Sequence, residues 1–171
     1  VRAKPWARFW ACAVGAVLVT TTMTGTASAS TAAVEHPVTW SFVNGFFADP
    51  LGALDPATPP VGSNVWTCKP TAAHPEPVIL LHGLGGNQRL NFPALSPLLA
   101  NNGYCVYSLT YGNQSWLPTV GGLGSMRTSS ARVKALVDKV LTSTGAEKVN
   151  VVAHSEGTTV ASYALYRDLA E

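Results

Sequence analysis

Ser155 stands in the run Ala153-His154-Ser155-Glu156-Gly157, a serine with small residues two positions before and two positions after it. That spacing suits a serine nucleophile for acyl transfer. Such a serine sits on a sharp turn from strand to helix, in strained backbone geometry, and the residues two before and two after approach each other closely. Bulky side chains there would clash. Alanine at 153 adds only a methyl, and Gly157 adds nothing. The turn lifts the hydroxyl above the sheet and aims the first turn of the following helix at it, where backbone N–H groups can stabilise developing negative charge. By itself the pentapeptide is a weak signal, because a serine that merely caps a helix has the same outline.

A second corner strengthens it. His82-Gly83-Leu84-Gly85-Gly86 forms a glycine-rich loop directly after an apolar run. Its backbone N–H groups could face an oxyanion. Glycine loops before helices also bind phosphate, but this one lacks the G-x-G-x-x-G order and has no lysine for a Walker-type site. The structural alternative is an ordinary tight turn. Two such corners at the ends of neighbouring strands say more than either alone.

The elements that must position these corners follow from hydrophobic patterning. Val78–His82 is a short, continuous apolar run, of the kind that forms a strand buried on both faces, and Tyr104–Leu109 reads as a second strand. Lys148–Ala153 reads as a third strand, leading into Ser155. Phe92–Asn101 reads as a helix ending near Gly103. In Ser129–Thr142, Val133, Leu136, Val137, Val140 and Leu141 recur at intervals of three and four, which makes one apolar stripe. Gly145 lies where a C-terminal cap is common. Glu156–Leu169 reads as the last helix, with Val160, Tyr163, Ala164 and Tyr166 as packing candidates. Alternation of strand and helix with connections of this length predicts an α/β fold: parallel core strands with helices on both faces.

The remainder is read as two segments. Residues 1–29 have the pattern of a secretory signal peptide: Arg2, Lys4 and Arg8, then an apolar run of eleven residues from Phe9 to Val19, then Ala27-Ser28-Ala29. The run is short of the roughly 20 residues that span a bilayer. Export is therefore expected, with an extracellular product. Without the three basic residues the mature chain carries eight Lys/Arg against nine Asp/Glu. That balance gives no basis for a nucleic-acid partner or a polybasic membrane contact. Residues 30–77, punctuated by Pro50, Pro56, Pro59 and Pro60, read as an irregular segment whose Trp40, Phe42, Phe46 and Phe47 pack over a body formed by 78–171. Cys12 leaves with the signal segment. The mature chain keeps Cys68 and Cys105, and export permits a disulfide between them. Two cysteines without a histidine cluster do not make a zinc site, and no metal is expected.

The text "PVILLHGLGG", "LSPLLANNGYCVYSLTYG", "GGLGSMRTSSARVKALVDKVL" and "KVNVVAHSEG" resembles the secreted class 2 lipases (triacylglycerol lipases) of actinobacteria, which have the α/β-hydrolase fold. The resemblance runs from about Cys68 to the C-terminus. It implies that Ser155 attacks an ester carbonyl and forms an acyl-enzyme. It implies oxyanion N–H donors at Leu84 and Glu156, with Ala153 and Gly157 supporting the turn. The Cys68–Cys105 bridge is similar to the family's arrangement. Lipid or small-ester substrates and transient contact with a lipid interface are implied, with no cofactor, and no stable protein partner is predictable. Glu156 and Thr158 depart from the family pattern, which usually has glutamine and glycine there. Transfer of the acyl group to an alcohol instead of water stays open.

A serine hydroxyl needs a general base, and the base usually needs an orienting acid. In this fold both follow the serine in chain order. Beyond the adjacent Glu156, the acidic residues after Ser155 are Asp168 and Glu171, and there is no histidine. Asp168 belongs to the nucleophile helix, several turns away, and is not assigned as the acid. His154 is expected to hydrogen-bond near the turn and His82 to support its loop, while His36 and His74 lie in the irregular segment. The expectation is a lipase-family chain truncated after the nucleophile helix. The alternative is a non-catalytic remnant, or a secreted lipid- or surface-binding protein.

Overall fold

The computed structural model describes residues 35–41, 50 and 54–168. The expected signal segment and Phe42, Phe46 and Phe47 lie outside the described residues.

Three parallel strands form the centre: β1 (Val78–Leu81), β2 (Val106–Leu109) and β3 (Asn150–Ala153), in the spatial order β2-β1-β3. Val78 lies beside Val106 on one side and Asn150 on the other. The central strand explains the continuous apolar run in the sequence, because it has no wet face: Ile79, Leu80 and Leu81 are fully buried. Burying each such side chain stabilises the fold by roughly 1.5–3 kcal/mol.

Successive residues of β1 feed opposite faces, as the period of two requires. On one face Ile79 and Leu81 join Tyr107, Tyr111 and the stripes of two helices, α3 (Met126–Thr144) and α4 (Glu156–Asp168). On the other, Val78 and Leu80 pack with Phe92 and, at the edge of the cluster, with Leu95 and Leu99. Leu95 and Leu99 belong to α2 (Leu95–Asn101), which follows the single turn α1 (Gln88–Asn91). Helices on both faces of a parallel sheet are the architecture the sequence predicts.

Several boundaries differ from the sequence reading. The expected helix over Phe92–Asn101 is broken. Phe92, before Pro93, takes φ −127° and ψ 41°, since the proline ring disfavours helical backbone in the residue ahead of it. Helix α3 starts earlier than expected, because Ser125 caps it: its hydroxyl accepts a hydrogen bond from the Thr128 N–H at 3.2 Å. Its end is as expected, at Gly145 with φ +77°. In α4, Val160 and Ala164 pack into the core, but Tyr166 is exposed. Trp40, expected to pack over the body, is 76% exposed. Strand β3 leaves Val151 38% and Val152 42% exposed. Among the described residues it pairs only with β1.

The segment before β1 lies along the outer edge of β2. The Asn64 N–H donates to the Val106 carbonyl at 2.9 Å, and the Asn64 amide brackets Ser108 from its side chain. A disulfide fastens the same segment: Cys68 and Cys105 are bonded, as the sequence predicts, with Cα atoms 5.7 Å apart. Trp66 packs against Tyr107 beside it, and the Lys139 ammonium sits over the Trp66 ring. No helix among the described residues is long and apolar enough to cross a membrane.

The bridge closes a loop of 37 residues, for which chain entropy gives a stabilisation of about 3–4 kcal/mol. Replacing both cysteines with alanine is expected to lower the unfolding free energy by roughly that amount in denaturant titration. An unchanged midpoint would show that the segment is held by its other contacts.

Candidate active site

Ser155 has φ +52°, one of two non-glycine residues with positive φ among those described. A serine in this left-handed region costs of order 1–3 kcal/mol and persists only where its surroundings enforce it. The enforcing contact is at Gly157. A Cβ there would stand 2.7 Å from the His82 carbonyl oxygen and 2.8 Å from that of Leu81. The start of α4 is pressed against the end of β1, and the chain leaving β3 must turn sharply to reach it. Ala153 ends β3, and Ser155 is exposed at the turn.

The second corner abuts the first. A Cβ on Gly83 would lie 3.0 Å from the Ser155 Cβ and 2.9 Å from His154 Nδ1. The loop from Gly83 to Gly86 therefore passes directly beside the serine. Two of its backbone groups are tied to a third segment, the glycine-rich loop between β2 and α3. The Gly85 N–H donates to the Gly121 carbonyl at 3.0 Å, and the Gly121 N–H donates to the Gly86 carbonyl at 2.7 Å. Asn87 adds a side-chain bond to the Thr119 carbonyl at 3.0 Å. Neither the Leu84 N–H nor the Glu156 N–H makes a hydrogen bond among the described residues. Leu84 and nearby Leu123 are exposed, as is Trp116 on the same long loop.

His82 holds this corner together. It is fully buried. Its Nε2 accepts from the Tyr111 N–H at 3.1 Å, so its Nδ1 carries the proton and donates to the Gly83 carbonyl at 2.8 Å. Its ring stacks on that of Tyr111, with centroids 4.1 Å apart, and the Tyr111 hydroxyl donates to the His82 carbonyl. Burial pushes the imidazole below the ordinary histidine range, the bond to Gly83 opposes this, and Arg132 adds to the lowering. Both nitrogens are occupied, so His82 supports the loop, as the sequence predicts, and has no lone pair to offer Ser155.

The other histidines make contacts elsewhere. His154 Nδ1 accepts from the Asn91 side-chain amide at 3.1 Å. His74 stacks on Tyr104 at the opposite end of the sheet, near Asn150. The backbone N–H of His36 donates to the Asn101 side chain. None of the four hydrogen-bonds to Ser155. Among the described residues, no cluster of His, Cys, Asp and Glu could hold a metal ion.

Two participants were not legible in the sequence: the Gly121–Gly122 turn and the Glu156 side chain. Glu156 Oε2 is sealed from solvent without a hydrogen-bond partner, and it lies against Gly122. Burial pushes this carboxyl above its ordinary range. The only sequence trace of the turn is its pair of adjacent glycines.

Residues 75–167 match the family model described as Lipase (class 2). The match covers more than half of the chain. The chain belongs to the class 2 lipase family. The matched span takes in all three strands and both corners, so this lipase-family hydrolase carries its candidate site within the α/β core that identifies it.

Substitution at Gly157 tests the contact that enforces the serine turn. Gly157→Ala forces a methyl into two backbone carbonyls of β1 and is expected to cost roughly 1–3 kcal/mol or more in thermal or denaturant unfolding. Gly85→Ala is the control. Its φ is +76° with open space around a Cβ, so only the backbone penalty, about 1 kcal/mol, applies. Equal costs would contradict the close approach.

Proposed function

We propose that this lipase-family protein hydrolyses carboxylic esters of lipids, with Ser155 as the nucleophile and the Leu84 and Glu156 amides as oxyanion donors. The observation that carries the proposal is the left-handed backbone of Ser155 beside Gly83. Oγ attacks the ester carbonyl carbon and the carbonyl oxygen becomes an oxyanion. Collapse of that intermediate breaks the bond to the alcohol, which leaves with a proton. Water then attacks the acyl-enzyme and releases the fatty acid, restoring the serine. A donor in such a hole typically contributes a few kcal/mol to transition-state stabilisation. Two amides without other partners, next to the serine, support the assignment. Leu84, Leu123 and Trp116 offer apolar surface for an acyl chain or a lipid interface.

The proton acceptor is not one of the four histidines. In this reading, further strands continue the sheet from β3 and bring the acid and the base. The open edge of β3, with Val151 and Val152 exposed, supports this, because an apolar strand of a parallel sheet normally has neighbours on both sides. Export also belongs to the proposal, supported by the basic start and apolar run before Ala29 and by the Cys68–Cys105 bridge.

Hydrolysis of a short-chain activated ester by the chain, compared with Ser155→Ala, tests the nucleophile. Hydrolysis is expected to be slow, since oxyanion donors and binding sustain only part of the rate without a base, and to fall to the background in the variant. Equal rates in two folded samples would favour a non-catalytic lipid-binding role.

A further inference from the structure

Glu156 brings a side chain as well as an amide to the oxyanion corner. A carboxylate in the first turn of a helix ordinarily faces water and gains from the helix N-terminus. This one folds toward the 121–122 turn instead. Its Oε2 fills the space that a side chain on Gly122 would need, and it has no hydrogen-bond partner among the described residues. The same hypothetical Cβ of Gly122 would lie 2.9 Å from the Leu84 Cα. Gly122 is thus wedged between the Glu156 carboxyl and the backbone of Leu84. Its N–H is anchored on the Tyr111 carbonyl at 2.8 Å.

The groups around the carboxyl do not neutralise it. Tyr111, from the loop after β2, directs its hydroxyl to the His82 carbonyl. Burial and the nearby Glu156 charge both push that phenol upward. His82, from the end of β1, uses both ring nitrogens elsewhere. Arg132, from α3, pairs with Asn113. The 121–122 turn has no titratable group, and on its own element Ser155 carries no charge. An ionised oxygen sealed in such a place is costly, whereas a neutral carboxyl is much less so.

We infer that Glu156 is a proton-dependent positioning residue for the oxyanion corner. Neutral, its carboxyl stays seated under Gly122 and holds the 121–122 turn against Leu84. Ionised, it moves toward water and sets a negative charge beside the amides that would receive the oxyanion. The corner therefore works best on the acid side and weakens as pH rises through the carboxyl's titration. The direction follows from the raised carboxyl: burial favours the proton-bound form in the folded state. The catalytic half of this inference rests on Ser155 being the nucleophile.

A pH titration of the full chain followed by NMR tests the positional half. The Leu84 and Gly122 amide shifts are expected to move together with the Glu156 side-chain carboxyl, with a midpoint above the ordinary 4.5. They are expected to be flat across that range in Glu156→Gln. Wild-type amides that do not follow the carboxyl, or a titration that survives in the variant, would overturn the inference. The wild-type titration needs no variant, so a misfolded Glu156→Gln leaves the test intact. In ester hydrolysis, the ratio of kcat/KM between Glu156→Gln and wild type is expected to grow roughly tenfold from about pH 5 to about pH 8. A ratio independent of pH would overturn the electrostatic claim. If Ser155→Ala leaves hydrolysis unchanged, the nucleophile reading fails separately, and the amide titration still decides the role of Glu156.

Discussion

The close approach of Gly157 to the Leu81 and His82 carbonyls governs the geometry of the candidate site. It fixes the start of α4 against the end of β1. Because β3 lies beside β1 in parallel register, the chain has only His154 and Ser155 in which to leave the strand and enter the helix. Positive φ at Ser155 is the consequence. The buried faces of β1 make the contact affordable: Ile79 and Leu81 are locked against α3 and α4, and Leu80 against the α2 side. Strain at one exposed residue is sustained by the packing of many buried ones.

The same end of β1 carries the second corner, and His82 links the two. A neutral imidazole with a defined tautomer ties the loop after β1 to the loop after β2 through Gly83 and Tyr111. Protonating it would forfeit the bond from the Tyr111 amide and bury a charge, so its lowered proton affinity and its structural role have one cause. A histidine so engaged is a brace. Its position two residues before Leu84 and at the foot of the Gly157 contact explains how one side chain steadies both halves of the corner.

Much of the fold was legible in the sequence, for reasons that can be named. The apolar run at Val78 is continuous because β1 is central, and the stripe from Val133 to Leu141 is periodic because α3 covers one face. The serine turn was legible because close backbone approach demands small residues at fixed spacing. Other features follow from distant pairings that spacing along the chain does not encode. The Gly121–Gly122 turn meets Gly85 and Gly86 across some 35 residues. The Glu156 side chain gives no sign in the sequence that it folds inward. The break at Phe92 carried a local signal in Pro93, which the reading of a continuous helix passed over. The exposure of β3 reflects what pairs with it, and its own apolar residues are those of a buried strand.

These observations describe the candidate site in detail: a serine turn with positive φ, two unengaged amides and a braced loop, within a chain of the class 2 lipase family. The central claim is that Ser155 is the reactive group. Treatment of the folded chain with a fluorophosphonate, followed by intact mass and peptide mapping, tests it most directly, because the reagent bonds to a serine oxygen that an oxyanion corner supports. The account predicts a single adduct, on Ser155. A folded chain that remains unmodified, or that carries its adduct on another residue, would contradict it.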